Sequence, residues 1–149
     1  MFFEDSDLKN DEIYLKILYT EEKPSGEDEV PYYKFNIVRT LDNNKIGECT
    51  LRVGYNESMY YRGNVGFLIF EEFRGRHYAS KVIPLILKQA KKHNMPYIII
   101  TCEESNIASY KSIKQAGGEY IETKDVPKNL IVYKTGGRRK CIFKFILQY

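Results

Sequence analysis

The stretch from Val65 to Ala90 constrains this chain more than any other. Val65 to Phe70 is an apolar run that predicts a buried strand. A turn rich in Arg and Gly follows, Phe73-Arg74-Gly75-Arg76-His77. Apolar residues then recur at helical spacing at Ala79, Val82, Ile83, Ile86 and Ala90. The spacing predicts a helix from about Arg76 to His93, halted before Asn94-Met95-Pro96 and kinked at Pro84, which lacks a backbone donor. A strand running straight into a helix leaves unpaired N–H groups at the helix start. Those donors, the helix dipole and the two arginines suit a doubly charged anion such as a pyrophosphate. The plain alternative is a strand–helix connection with basic surface residues.

Around this unit the pattern is mostly extended. Glu12 to Thr20 alternates, with Ile13, Leu15, Ile17 and Tyr19 on one parity, and predicts a first strand. Glu21 to Pro31 is an acidic loop around Pro24-Ser25-Gly26. Tyr32 to Thr40 and Lys45 to Val53 form a hairpin through Leu41-Asp42-Asn43-Asn44. Gly54 to Gly63, polar and Tyr-rich, reads as another hairpin connection. Tyr97 to Thr101 is apolar on both parities, the pattern of a strand covered on both faces, so strand–helix–strand here implies a right-handed parallel crossover. Asn106 or Ser105 caps a helix that ends at Gly117-Gly118. Glu119 to Thr123 is a strand. Val126 to Arg139 is mostly loop, with Leu130 to Lys134 able to extend, and Cys141 to Leu147 closes the chain as a strand. The expected fold is α+β, a single mixed and mostly antiparallel sheet of six to seven strands with a central parallel pair, flanked by two main helices.

At 149 residues one domain over 1–149 is expected, and a chain this size buries roughly 68–70% of its unfolded surface. Thirteen Tyr and eight Phe with no Trp favour sheet. The net charge of +3, with both signs mixed along the chain, makes a nucleic-acid partner a weak expectation. Cys49, Cys102 and Cys141 fit neither a disulfide framework nor a metal site, which suits a reducing cytosol. The start lacks the basic segment of a signal peptide, and no apolar run approaches the ~20 residues that span a bilayer. The expectation is a cytoplasmic protein with no membrane partner and no metal.

The order of elements, with Phe73-Arg74-Gly75-Arg76-His77-Tyr78-Ala79 after the fourth strand, resembles the GNAT superfamily of acyl-CoA N-acyltransferases. Arg74 and Ala79 occupy the ends of that family's Gln/Arg-x-x-Gly-x-Gly/Ala signature, and His77 stands where the family usually has Gly. Asn106-Ile107-Ala108-Ser109 resembles the family's Asn-x-Ala-Ser segment at the next helix. The resemblance implies acetyl-CoA as co-substrate, entering between splayed fourth and fifth strands. Its pantetheine would pair near Ile69 and Phe70, its pyrophosphate would sit on Arg74, Gly75, Arg76, His77, Tyr78, Ala79 and Ser80, and Asn106 would contact it as well as cap its helix. A Cβ at His77 would crowd that turn if the backbone needs positive φ, although His visits that region more than most residues and can donate to phosphate.

The resemblance further implies direct transfer to an amine, which must be neutral to attack. A lysine-type amine with pKa near 10.4 is disfavoured at pH 7 by about 4.6 kcal/mol, and an α-amine by about 1 kcal/mol, so a base is useful. Glu103 is the candidate base. Relatives often place a Tyr acid seven residues after the Asn; here that position is Ile113, leaving Tyr110, one turn away, as the candidate acid. Gly136-Gly137-Arg138-Arg139-Lys140 reads as a solvated hairpin tip. The expected activity is acetyl transfer to a primary amine of a small molecule or protein. The alternatives are a non-catalytic acyl-CoA-binding module and a small nucleic-acid-binding domain. The acidic loop would favour a cationic acceptor, and the aromatic last strand could pair across a homodimer.

Overall fold

The computed structural model describes residues 2–26 and 29–147. Residues 27 and 28 of the acidic loop lie outside the described residues. Seven strands, β1 (Ile13–Glu21), β2 (Tyr32–Arg39), β3 (Asn44–Arg52), β4 (Val65–Ile69), β5 (Tyr97–Glu103), β6 (Glu119–Asp125) and β7 (Arg139–Ile146), form one sheet in the order β1-β2-β3-β4-β5-β7-β6. Helices α1 (Glu57–Arg62), α2 (Tyr78–Lys92), α3 (Ile107–Gln115) and α4 (Ile131–Thr135) complete it. Every neighbouring pair is antiparallel except β4 and β5. The expected α+β sheet with a central parallel pair is therefore present.

The two main helices pack on one face. Val82, Ile83, Ile86 and Ala90 of α2 are fully buried, as the helical spacing required, and α3 adds Ile113. Burying each such Ile contributes roughly 1.5–3 kcal/mol. Pro84 lies on the exposed side of α2, and the helix runs on past it to Lys92. On the second face Tyr61, Ile99, Val126, Leu130, Val132 and Ile142 form a smaller cluster under α1 and α4.

Four expectations are corrected. Gly54 to Gly63 holds helix α1, whose Asn56 Oδ1 accepts from Met59 N–H at 2.9 Å, a cap too local to register against a polar, Tyr-rich background. Leu130 to Lys134 is mostly helical, because Val132 inserts into the second-face cluster. The terminal strand β7 lies between β5 and β6 and so offers no free edge for a dimer; the sheet edges are β1 and β6. In β1 the register shifts between Ile17 and Tyr19, which turns Tyr19 out to solvent, so the alternation did not continue through it.

Two interactions fix the centre and one end of the molecule. Asn64, fully buried ahead of β4, donates from Nδ2 to Arg52 O (3.1 Å) and Gly54 O (2.8 Å) and accepts at Oδ1 from Ile99 N–H (2.9 Å). Its own N–H donates to Ile99 O at 2.7 Å. At the C-terminal end of α2, Phe3 N–H donates to Tyr33 Oη (2.8 Å), and Tyr33 Oη is hydrogen-bonded to His93 Nε2 at 2.6 Å.

Asn64→Ala leaves buried backbone groups of Arg52, Gly54 and Ile99 without those partners. It should cost about 3 kcal/mol or more, read as a lower urea midpoint. Burial, with neighbouring positive charge, holds His93 below its ordinary value. The unfolded chain then takes a proton at about pH 6.5 that the folded state refuses, so this contribution is complete above that pH and declines below it. Urea unfolding should show stability falling from pH 7 to 5, and His93→Gln should flatten that slope.

Candidate active site

Strand β4 touches β5 in register only at Val65 and Ile100, and beyond that pair the two strands part. The ladder bonds at both ends of β4, Arg52 N–H to Asn64 O (2.7 Å) and Phe70 N–H to Ile46 O (2.9 Å), commit its even-numbered residues to β3. The main-chain groups of Phe67 and Ile69 therefore turn toward the gap. Of these, Ile69 O already accepts from Arg74 Nε at 2.9 Å. The Phe67 N–H and C=O and the Ile69 N–H are left facing the opening.

A groove of about 570 Å³ continues from this opening between the N-terminal ends of α2 and α3. It brings together Ile69, Arg74, Gly75, His77, Tyr78, Ala79 and Asn106 of the residues expected from the sequence. Phe70, Arg76 and Ser80 lie next to it in sequence but do not line it. Phe67, Leu68, Phe73, Ala108, Ser109, Lys111, Ser112 and Gln115 line it as well, and the sequence reading missed them. Helical spacing from Asn106 (109, 112) could have found part of that α3 face.

The turn is built for close approach. Gly75 has φ +82° with open space where a Cβ would stand, and His77 has φ 62° and ψ 22°, the left-handed conformation. The turn thus demands positive φ at the place where the family usually has Gly. His77 occupies the N-cap position of α2 without making a side-chain capping bond. Ser80 Oγ donates to His77 O (2.8 Å), so it leaves the helix's first N–H groups free. Asn106 Oδ1 accepts from Ser109 N–H at 3.1 Å, capping α3 at the groove wall.

The two candidate catalytic residues lie elsewhere. Tyr110 packs edge-on against Phe143 (5.1 Å between ring centres) and beside Tyr120 (6.2 Å), outside the groove lining, and Ile113 is buried in the core. Glu103 projects on the second face, its carboxylate against the backbone of Gly137 and its strand position opposite Lys140. Cys102 is buried, and burial pushes its thiol up to about 11, which leaves it a poor nucleophile. Among the described residues no cluster of His, Cys, Asp and Glu could hold a metal, and no helix is long and apolar enough to cross a membrane.

The acetyltransferase (GNAT) domain profile matches residues 5–119. This chain belongs to the GNAT family. Solved structures share its fold at low identity. A probable GNAT-family acetyltransferase from Chromobacterium violaceum aligns with a TM-score of 0.66 at 12% identity, covering 98% of this chain and 88% of that one. The GNAT-family acetyltransferase from Bacillus anthracis aligns at 0.60 and 19% identity, over 76% and 65%. The microcin C7 self-immunity acetyltransferase MccE, solved with acetyl-CoA and AMP, aligns at 0.60 and 12%, over 78% and 61%. This GNAT chain thus spans less than two thirds of the length of several such neighbours. No protein with a curated description matches it.

His77→Gly relieves the left-handed backbone and should raise stability by up to about 1 kcal/mol, and Gly75→Ala, which meets no atom, should lower it by about 1–2 kcal/mol. Thermal melts of the two variants check both signs.

Proposed function

We propose that this chain transfers the acetyl group of acetyl-CoA to a primary amine. The observation that carries this reading is the splay of β4 from β5 opening directly onto a helix start that no side chain caps. A pantetheine arm offers amides, and the free groups of Phe67 and Ile69 N–H offer ladder partners for them. A pyrophosphate offers two negative charges, and the first N–H groups of α2, the dipole of that 15-residue helix, and the donors of Arg74 and His77 suit them. Arg74 spends only Nε on Ile69 O among the described bonds, so most of its fork remains for the ligand. A neighbour of the same fold binds acetyl-CoA, which supports the assignment.

In the transfer the amine nitrogen attacks the thioester carbonyl. The new C–N bond forms, the C–S bond breaks, the amine gives up a proton, and the CoA sulfur leaves as thiolate and is then protonated. Glu103, on the second face, is the proposed base for the amine proton. With Tyr110 packed on Phe143 and Ile113 in the core, we assign no side chain to protonate the thiolate; water reaching the splay serves.

Calorimetric titration should show micromolar acetyl-CoA binding, weakened at least tenfold by Arg74→Ala. Thiol release with an amine panel should fall in Glu103→Gln with little change in acetyl-CoA affinity. Binding without turnover of any amine would favour an acyl-CoA-binding module instead. No binding at millimolar acetyl-CoA would return the turn to ordinary scaffold.

A further inference from the structure

The groove beside the splay is lopsided, and its longer wall is α3. From α2 it takes only the first two residues, Tyr78 and Ala79, with the turn before them. From α3 it takes Ala108, Lys111, Ser112 and Gln115, spaced i, i+3, i+4 and i+7, which is the spacing of one helix face. At about 1.5 Å per residue those four residues carry the groove roughly 10 Å along the helix. The core fixes this face outward. Ile113 is fully buried and Tyr110 packs on Phe143, and both lie on the other side of α3. A ligand whose pyrophosphate rests on the start of α2 therefore has a second surface beside it, and that surface belongs to α3.

The charges follow the same division. Arg74 stands on the turn wall and Lys111 on the α3 wall, and among the described residues no Asp or Glu lines the groove. The first N–H groups of α2, Arg74 and His77 already suit the two charges of a pyrophosphate. Lys111 lies on a different helix and is available to a second anion. CoA carries one, a phosphate monoester on the 3′ oxygen of its ribose, one sugar away from the pyrophosphate. Such a monoester bears a charge of about −1.5 to −2 at pH 7. A lysine suits it, because a compact charge on a flexible stem can reach a phosphate that approaches along an open wall. Ala108 and Ser112 beside it are small, which lets the sugar lie close to the helix.

We infer that Lys111 holds the 3′-phosphate of the cofactor, so that the groove selects acetyl-CoA over acetyl donors that lack this phosphate. The inference rests on the acetyl-transfer reading and adds a donor specificity to it. The turn binds what every pyrophosphate-bearing donor shares, and α3 reads the one group that distinguishes CoA from its dephosphorylated form.

The test titrates the full chain calorimetrically with CoA and with 3′-dephospho-CoA, which differ only in that phosphate. Wild type should bind CoA at least fivefold more tightly at low salt, and added salt should shrink the preference, since Lys111 is exposed. Lys111→Met should abolish the preference by weakening CoA alone, with dephospho-CoA within twofold of wild type, and Lys111→Arg should keep it. Arg74→Ala should weaken both ligands alike. Lys114→Met removes a cation of the same helix that does not line the groove, and should change neither. Equal binding of the two ligands by wild type, a preference that survives Lys111→Met, or a Lys111→Met loss shared by both ligands overturns the inference and leaves the acetyl-transfer reading standing. If neither ligand binds, the acetyl-transfer reading falls. Adenosine 3′,5′-bisphosphate titrated against AMP then decides separately whether Lys111 holds a ribose phosphate: a preference for the bisphosphate that Lys111→Met removes supports it, and no preference overturns it.

Discussion

Everything functional in this fold hangs on where β4 and β5 stop being partners, and that point is set by one buried amide. Asn64 satisfies backbone groups of Arg52, Gly54 and Ile99 with its side chain and bonds Ile99 again through its own N–H. It ties β3, the chain entering β4, and β5 together at one end of the parallel pair. A fully satisfied buried amide is rigid because each alternative position leaves several buried groups unpaired. Without it the joined end of the pair loses three side-chain bonds, and the point from which the strands diverge is no longer held. With it, and with the Arg74 side chain taking the carbonyl of Ile69 at the other end, β4 is held at both ends and keeps its middle open. The opening is thus a consequence of polar groups placed at the strand's two ends.

The turn beyond β4 shows a different compromise. Its path needs left-handed backbone at both Gly75 and His77, and only one of those positions carries the residue that adopts it freely. A histidine there costs some stability relative to glycine. It adds in return a ring that can donate to an anion lying on the helix start. Val82, Ile83 and Ile86 anchor the helix that follows in the main core.

The parts of this structure that were legible in the sequence are those governed by short-range periodicity. The α2 stripe, the both-parity apolar pattern of β5 and the Asn106 cap all lie within a few residues of their own cause, and each appears in the structure. Asn64 carried no such sign. It is one polar residue in a polar segment, and its partners lie up to 35 residues away. The placement of β7 between β5 and β6 is equally non-local, because alternation fixes which side chains share a face and says nothing about which strand is the neighbour. The site divides in the same way. Groove residues contributed by the turn were readable, whereas those from β4 and the α3 face depended on how two helices pack. Tyr110 shows the limit from the other side: three residues from Ile113, it faces away from the expected acid position, and Phe143 and Tyr120, brought by β7 and β6, hold its ring.

Lys140 makes the last step of the argument. Read along the chain it belongs to Gly136-Gly137-Arg138-Arg139-Lys140, a basic run that ought to be hydrated. The fold sorts that run by strand parity and by partner. Arg138 stacks over Tyr133, Arg139 pairs with both Glu104 and Asp125, and Lys140 is buried opposite Glu103 in the β5–β7 register. Three adjacent cations thus meet an aromatic ring, two carboxylates and a buried position beside Glu103. The groove face presents backbone donors spread along a helix start, suited to a long, doubly charged ligand.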